Sequence, residues 1–123
     1  MNFNESPEFK KDVKTLSKKV RTIKSDLMPV YALIEQLYVP GGDERLKKYR
    51  SLFFDGKRAT ILHQSQTHEV IKMRLDTETR SMSGKLRLVF IAVISDGAVT
   101  FIELYAKNVK NREDQQRIQK YLG

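Results

Sequence analysis

The residues with the clearest chemical potential are three cations: Lys72 and Arg74, two apart in V-I-K-M-R-L, and Arg87 in G-K-L-R-L-V-F. Residues two apart in a strand project from one face, so Lys72 and Arg74 form a positive pair opposite Ile71, Met73 and Leu75. Cations grouped on a rigid sheet can hold a phosphodiester and stabilise the extra charge of a five-coordinate transition state. Tyr105, Glu103 and His68 are further candidates for proton transfer. The competing reading is ordinary exposed charge, or a salt bridge from one of these cations to Glu103.

Other chemistries are poorly supplied. The sequence has no Gly-rich phosphate loop, no G-x-S-x-G and no H-E-x-x-H. His63 and His68 are five apart and face opposite ways on an uninterrupted strand, which is poor ligand spacing. No carboxylate cluster completes a metal site, so no metal and no cofactor is expected. Glu103 is the one acid in its strands apart from the turn, which argues against a paired-carboxylate hydrolase.

The element that must carry Arg87 spans Lys85 to Lys107, two apolar β-branched runs joined by Asp96-Gly97. Asp-Gly between such runs predicts a hairpin closed by a two-residue type I′ turn, which needs φ > 0 at both central positions. That register sets Phe90 opposite Glu103 and Arg87 opposite Ala106. One face then holds Val89, Ile91, Val93, Ile102 and Leu104 with Arg87 at its open end. The other holds Leu88, Phe90, Ala92, Ile94, Val99, Phe101, Glu103 and Tyr105. Both faces are largely apolar, so the strands Leu86–Ile94 and Val99–Ala106 belong at the centre of a sheet covered on two sides.

The remaining elements surround that hairpin. Residues 1–4 read as a short edge strand. Ser6-Pro7-Glu8 predicts a helix start, with Ser as N-cap, Pro at N1 and an acid in the first turn. Phe9, Val13, Leu16 and Val20 follow at helical spacing. A second helix is expected from about Leu27 to Tyr38 with Asp26 as N-cap, stopped by Pro40-Gly41-Gly42. Between Asp43 and Thr60, cations alternate with aromatics: a short basic helix ending near Asp55-Gly56, with Phe53 and Phe54 plugging the core. Thr60 to Leu75 reads as strand, and Asn111 to Asp114 as the cap of a final helix containing Ile118, Tyr121 and Leu122. The expectation is a single domain over residues 1–123, α+β, with two N-terminal helices packed on a mainly antiparallel sheet and a C-terminal helix.

Charge narrows the partners. The net charge is +8, and residues 41–87 carry eleven basic against six acidic groups. Residues 107–123 carry five against two. Such a field favours polyanions, nucleic acid above all. Lys57, Arg58, Arg80, Lys85 and Lys107 are the expected RNA-binding cations around the three central ones. The absence of cysteine excludes disulfides and thiolate catalysis and fits a reducing cytosol. No apolar run approaches a membrane span and the N-terminus is no signal peptide, so a cytoplasmic protein without membrane contact is expected.

The opening S-P-E-F-K-K-D-V-K-x-L-S-K-K, then V-I-K-M-R-L, G-K-L-R-L-V-F and F-I-E-L-Y-A-K-N, in this order and spacing, resemble the RelE/ParE superfamily of bacterial toxin–antitoxin toxins. The resemblance covers nearly the whole chain apart from residues 41–59. It implies a RelE-like fold and, for RelE-like members, a metal-independent, ribosome-associated mRNA endonuclease (mRNA interferase) that promotes attack of a ribose 2′-hydroxyl on the adjacent phosphate. It also implies a cognate antitoxin that holds the toxin inactive. By position, Lys72 and Arg74 match the basic pair on the strand before the loop, and Arg87 matches the arginine that contacts the scissile phosphate. The chain departs from the pattern at Asn108, where the RelE subgroup has a basic residue (Lys107 stands just before it). For the family's late tyrosine there is Tyr121, or Tyr105 inside the strand. The ParE-like branch, which poisons DNA gyrase, and a non-enzymatic RNA-binding or protein-interaction module are the alternatives on the same fold.

Overall fold

A computed structural model of the chain describes residues 1–38, 44–55 and 58–123, without the side chains of 44–47 and 49. Pro40-Gly41-Gly42, Gly56 and Lys57 lie outside the described residues. The elements run β1 (Asn2–Glu5), α1 (Pro7–Leu16), α2 (Ile23–Leu37), α3 (Glu44–Asp55), β2 (Ala59–Gln64), β3 (His68–Arg74), β4 (Leu86–Val93), β5 (Ala98–Ala106) and α4 (Gln115–Leu122). The sheet order is β1-β5-β4-β3-β2, antiparallel except for the parallel edge pair β1–β5. This is the expected α+β architecture.

Alternation along β4 sets the two layers. Leu86, Leu88, Phe90 and Ala92 face a core shared with Phe9 of α1, with Ile23, Val30 and Ile34 of the second helical segment, and with Ile71 and Met73 of β3. Phe101 lies at the centre of its aromatic packing, against Phe3, Phe9, Tyr31 and Phe90 at 5.3–6.2 Å between ring centroids. Val89 and Ile91 face the other way, onto Ile102, Tyr105 and Ile118 of α4. With α1 and α2 on one side and α4 on the other, the central strands are buried on both faces.

Ser6 caps α1 as expected, its hydroxyl accepting from the Phe9 N–H at 3.1 Å. Phe53 is buried and Phe54 packs against the same core.

Five expectations are corrected. The Asp96-Gly97 connection is longer than two residues: Ile94–Asp96 form a 3₁₀ turn, closed by Gly97 in the left-handed region at φ 60°, and Val93 pairs with Ala98. A bulge then leaves one extra residue of β5, Ile102, between the Phe90–Phe101 and Val89–Glu103 pairs. That single insertion flips the rest of β5: Leu104 enters the core under the N-terminal helices, while Glu103 and Tyr105 move to the face of Val89 and Arg87. The segment 60–75 is two strands rather than one, joined by a turn over residues 65–67. Finally, α2 begins at Ile23 with Asp26 inside its first turn, and α4 is capped by Asp114, whose carboxylate accepts from the Arg117 N–H at 3.1 Å, rather than by Asn111.

Candidate functional site

Strand register brings the cations together. Ile71–Phe90 and Met73–Leu88 are core pairs, so the alternate pairs Lys72–Val89 and Arg74–Arg87 lie on the α4 side. Thr60 of β2 stands opposite Lys72, and the Arg58 carbonyl accepts from the Arg74 N–H at 2.8 Å. On β5 the bulge sets Tyr105 opposite Arg87 and Glu103 opposite Val89. The result is two ranks across four strands: Arg58, Arg74, Arg87, Tyr105, and beside them Thr60, Lys72, Val89, Glu103. An open depression of about 160 Å³ is lined by Arg58, Thr60, Lys72, Met73, Arg74 and Arg87.

Arg87 is the fixed point of this surface. It is 8% exposed, and its Nη1 donates to the carbonyls of Gly84 at 2.9 Å and Leu86 at 3.0 Å. Gly84 sits at φ +75°, a conformation that favours glycine, and so turns its carbonyl toward the guanidinium. Burial and the charge of Arg74 both push the Arg87 pKa down, with Tyr105 opposing weakly. The group stays charged, since arginine titrates far above neutrality. Among the described residues no carboxylate neutralises Arg74 or Arg87. Like charges directly opposite on neighbouring strands are destabilising, so an anion bound between them would be favoured.

The neighbours of this pair are spoken for. Lys72 Nζ lies 3.0 Å from Glu113 Oε2, and Gln115 Nε2 donates to Glu113 Oε1 at 3.1 Å. Burial works against the charge on Glu113, but its backbone hydrogen bond and Lys72 outweigh burial and hold its pKa below the usual carboxylate range. Glu103, 2% exposed, is ion-paired to Lys110 and accepts from the Asp114 N–H at 2.8 Å. It is therefore salt-bridged, though by none of the three central cations. Lys110 also sits over the Tyr105 ring, 5.5 Å from its centroid. Burial, then the charges of Glu113 and Glu103, push the Tyr105 phenol up to about 12, with Arg87 partly opposing. Tyr105 is a proton donor at neutral pH and a poor base.

Of the outer cations, Arg58 lies on the site face but pairs with Asp76 at 2.5 Å. Lys85 and Lys107 border it, joined by a Lys107 N–H to Lys85 carbonyl bond of 2.7 Å, and both are exposed. Lys85 Nζ donates to the Ser81 carbonyl at 3.0 Å. Arg80 is exposed in a 3₁₀ turn on the loop between β3 and β4. His68 starts β3, six residues and about 20 Å from Arg74, and its Nδ1 is 2.7 Å from the Thr67 hydroxyl. Tyr121 is not at the site, because its hydroxyl donates to Glu8 at 2.5 Å.

Glu113 and Lys110 were missed as site residues. Glu113 reads in sequence as a helix-capping acid, although an isolated Glu-Asp within a basic tail is a weak signal that the acid has a cation to meet. Among the described residues there is no group of three His, Asp or Glu side chains able to hold a metal. No helix among them is long and apolar enough to cross a membrane.

No protein-family model and no curated protein matches the chain. Among solved structures it is similar to the archaeal RelE–RelB complex from Pyrococcus horikoshii OT3, with a TM-score of 0.55 and 14% identity. That alignment covers 86% of this chain and 93% of the other. At such identity the likeness is one of fold.

Proposed function

We propose that this chain is the toxin of a toxin–antitoxin pair and acts as an RNA endonuclease on ribosome-bound message. The observation that carries the reading is the Arg74–Arg87 pair: two cations opposed across adjacent strands, one of them buried and locked, at the rim of an open depression. The RelE-like fold and the sequence resemblance supply the reaction class. A bound phosphodiester would lie against both guanidiniums. The 2′-oxygen attacks phosphorus as its proton passes to the Glu113 carboxylate, which Lys72 holds beside the cations. The bond from phosphorus to the 5′-oxygen breaks, and Tyr105 donates the proton that the departing oxygen takes. The products are a 2′,3′-cyclic phosphate and a 5′-hydroxyl. Arg87 stabilises the phosphorane charge, and no step calls for a metal or cofactor.

The partner implied is a cognate antitoxin with an acidic segment, matching the basic excess of residues 41–87 and of the tail. A cytoplasmic location accords with both partners. One observation favours a second reading. Lys72 and Glu103 are both tied in ion pairs, which engages two candidates for proton transfer, so a ParE-like gyrase poison or a non-cleaving RNA-binding module would also explain the surface. Expression of the wild type and Arg87→Ala in bacteria, with mapping of mRNA ends, tests the choice. New 5′-hydroxyl ends with the wild type alone support the endonuclease, gyrase-linked DNA breaks without cut message favour the ParE-like reading, and a harmless chain contradicts the toxin reading.

A further inference from the structure

We infer that the depression between α2 and residues 75–78 is a nucleobase slot, which takes the base of the nucleotide whose phosphate rests on Arg74 and Arg87 and favours a base carrying an exocyclic amine. The inference rests on the reading of the cation face as an RNA site. Around the end of β3 from that face lies a second depression of about 300 Å³. Arg58, Met73 and Arg74 line both, so the two meet around the end of β3, the cation depression on the α4 side and this one on the α2 side.

Their chemistry differs. The second depression is walled by Pro29, Val30 and Leu33 of α2 and floored by Met73 and Leu75, while Asp76, Thr77 and Glu78 form its lip. A phosphate is repelled by those carboxylates. A base is not: its π-face packs on the apolar wall and its N–H edge meets the acceptors.

The lip is also built. Asp26, 8% exposed, accepts from the hydroxyls of Thr22 at 2.8 Å and Thr77 at 2.6 Å and from the Glu78 N–H at 3.2 Å. Thr22 reaches Thr79 as well, at 2.9 Å. This clasp fixes the loop against α2 and takes no part in the phosphate chemistry. It holds an edge of acceptors at set positions, which is what reading a base requires.

Of the two lip carboxylates, Asp76 is paired with Arg58 at 2.5 Å, which leaves Glu78 as the acceptor without an ion pair among the described residues. Cytosine offers an N4 amine to such a carboxylate where uracil offers the O4 carbonyl. The slot therefore favours cytosine over uracil, two bases of one size.

The test uses the full chain and two fluorescent hexamers, C6 and U6, with 2′-fluoro sugars so that neither is cut. Wild type is expected to bind C6 about fivefold more tightly than U6, roughly the net worth of one hydrogen bond at an exposed carboxylate. Glu78→Ala is expected to bring that ratio near one without flattening the salt dependence. Arg74→Ala is expected to weaken both equally and to lower the salt slope by about one. Methyl NMR signals of Val30, Leu33 and Met73 should shift with C6. Equal binding of C6 and U6 by the wild type, a ratio that survives Glu78→Ala, or unmoved methyl signals would each overturn the slot and leave the phosphate site standing. No binding of either hexamer by the wild type would overturn the RNA reading and the slot together.

Discussion

Arg74 and Arg87 face each other across β3 and β4 on the side of the sheet turned toward α4. The alternate pairs before it along the strands, Met73–Leu88 and Ile71–Phe90, belong to the core and leave the register no freedom. The packing that stabilises the fold thus forces two cations together, and the neighbouring acid Glu113 pairs with Lys72 instead of either arginine.

Glu113 occupies the position a phosphate oxygen would take at Lys72. Glu113→Gln should therefore raise RNA affinity about threefold to tenfold at low salt and steepen the salt dependence by about one charge. The lost pair should cost about 1 kcal/mol of stability, since Lys72 remains partly solvated. Glu113 has its pKa depressed in the fold, so its contribution is present above the unfolded carboxylate pKa and fades as pH falls through the folded value. Acid titration of the melting temperature should be shallower in the variant. Unchanged RNA affinity would refute the competition.

Tyr105 is the predicted donor to the leaving oxygen. Tyr105→Phe should cut cleavage about 10²-fold or more while the fold is retained. The phenol is raised in the folded state to about 12. Its contribution to stability is complete below the unfolded tyrosine pKa and is lost as pH rises from there through the folded value. Alkaline melts should show that loss in the wild type and a flatter curve in Tyr105→Phe. Full cleavage by the variant would remove Tyr105 from the mechanism.

Much of this was legible in the sequence, and the failures have physical causes. Alternation in L-R-L-V-F-I-A-V assigns both faces of β4 correctly, because that strand has no irregularity before its end. β5 reads the same way up to Phe101, but nothing in F-I-E-L-Y-A marks a bulge, since Ile, Leu and Tyr suit either layer. The prediction thus placed Tyr105 and Glu103 in the wrong layer while naming them as candidates. The turn between β2 and β3 lacks Gly and Pro, and the Ser65 hydroxyl does their work by accepting from the N–H groups of Thr67 and His68. Glu69 did leave a trace, since it shares the inward parity of Ile71 and Met73.

That buried glutamate joins α3 to the sheet. Glu69 is 1% exposed and accepts from Tyr38 at 2.9 Å, Gln64 at 2.9 Å and Arg50 at 2.5 Å, with Arg50 lying over the rings of Tyr38 and Phe54. Glu69→Ala should cost about 2–4 kcal/mol, because it strands a half-buried guanidinium. Chemical denaturation measures the cost, and a loss under about 0.5 kcal/mol would contradict the assigned role.

The end of α4 is held to α1 through Glu8, which accepts from Tyr121 at 2.5 Å and from Lys120 at 2.9 Å. Those two bonds lower the Glu8 pKa to about 2. A depressed carboxylate stabilises above its unfolded pKa and stops doing so as pH falls through the folded value. Protection factors of α4 amides, with the intrinsic pH dependence of exchange divided out, should fall on acidification toward pH 2, and Tyr121→Phe should move that onset to higher pH. Identical onsets in the two proteins would show that the contact does not anchor the helix.

The central claim is that Arg87, held by two backbone carbonyls and opposed to Arg74, stabilises a phosphorane in RNA. The most direct measurement is the mapping of mRNA 5′ ends in cells expressing wild type or Arg87→Ala at matched soluble levels. New 5′-hydroxyl ends within coding regions should appear with the wild type and fall about 10²-fold or more in the variant, the scale expected when one transition-state charge is removed. Equal cleavage by both proteins would contradict the account.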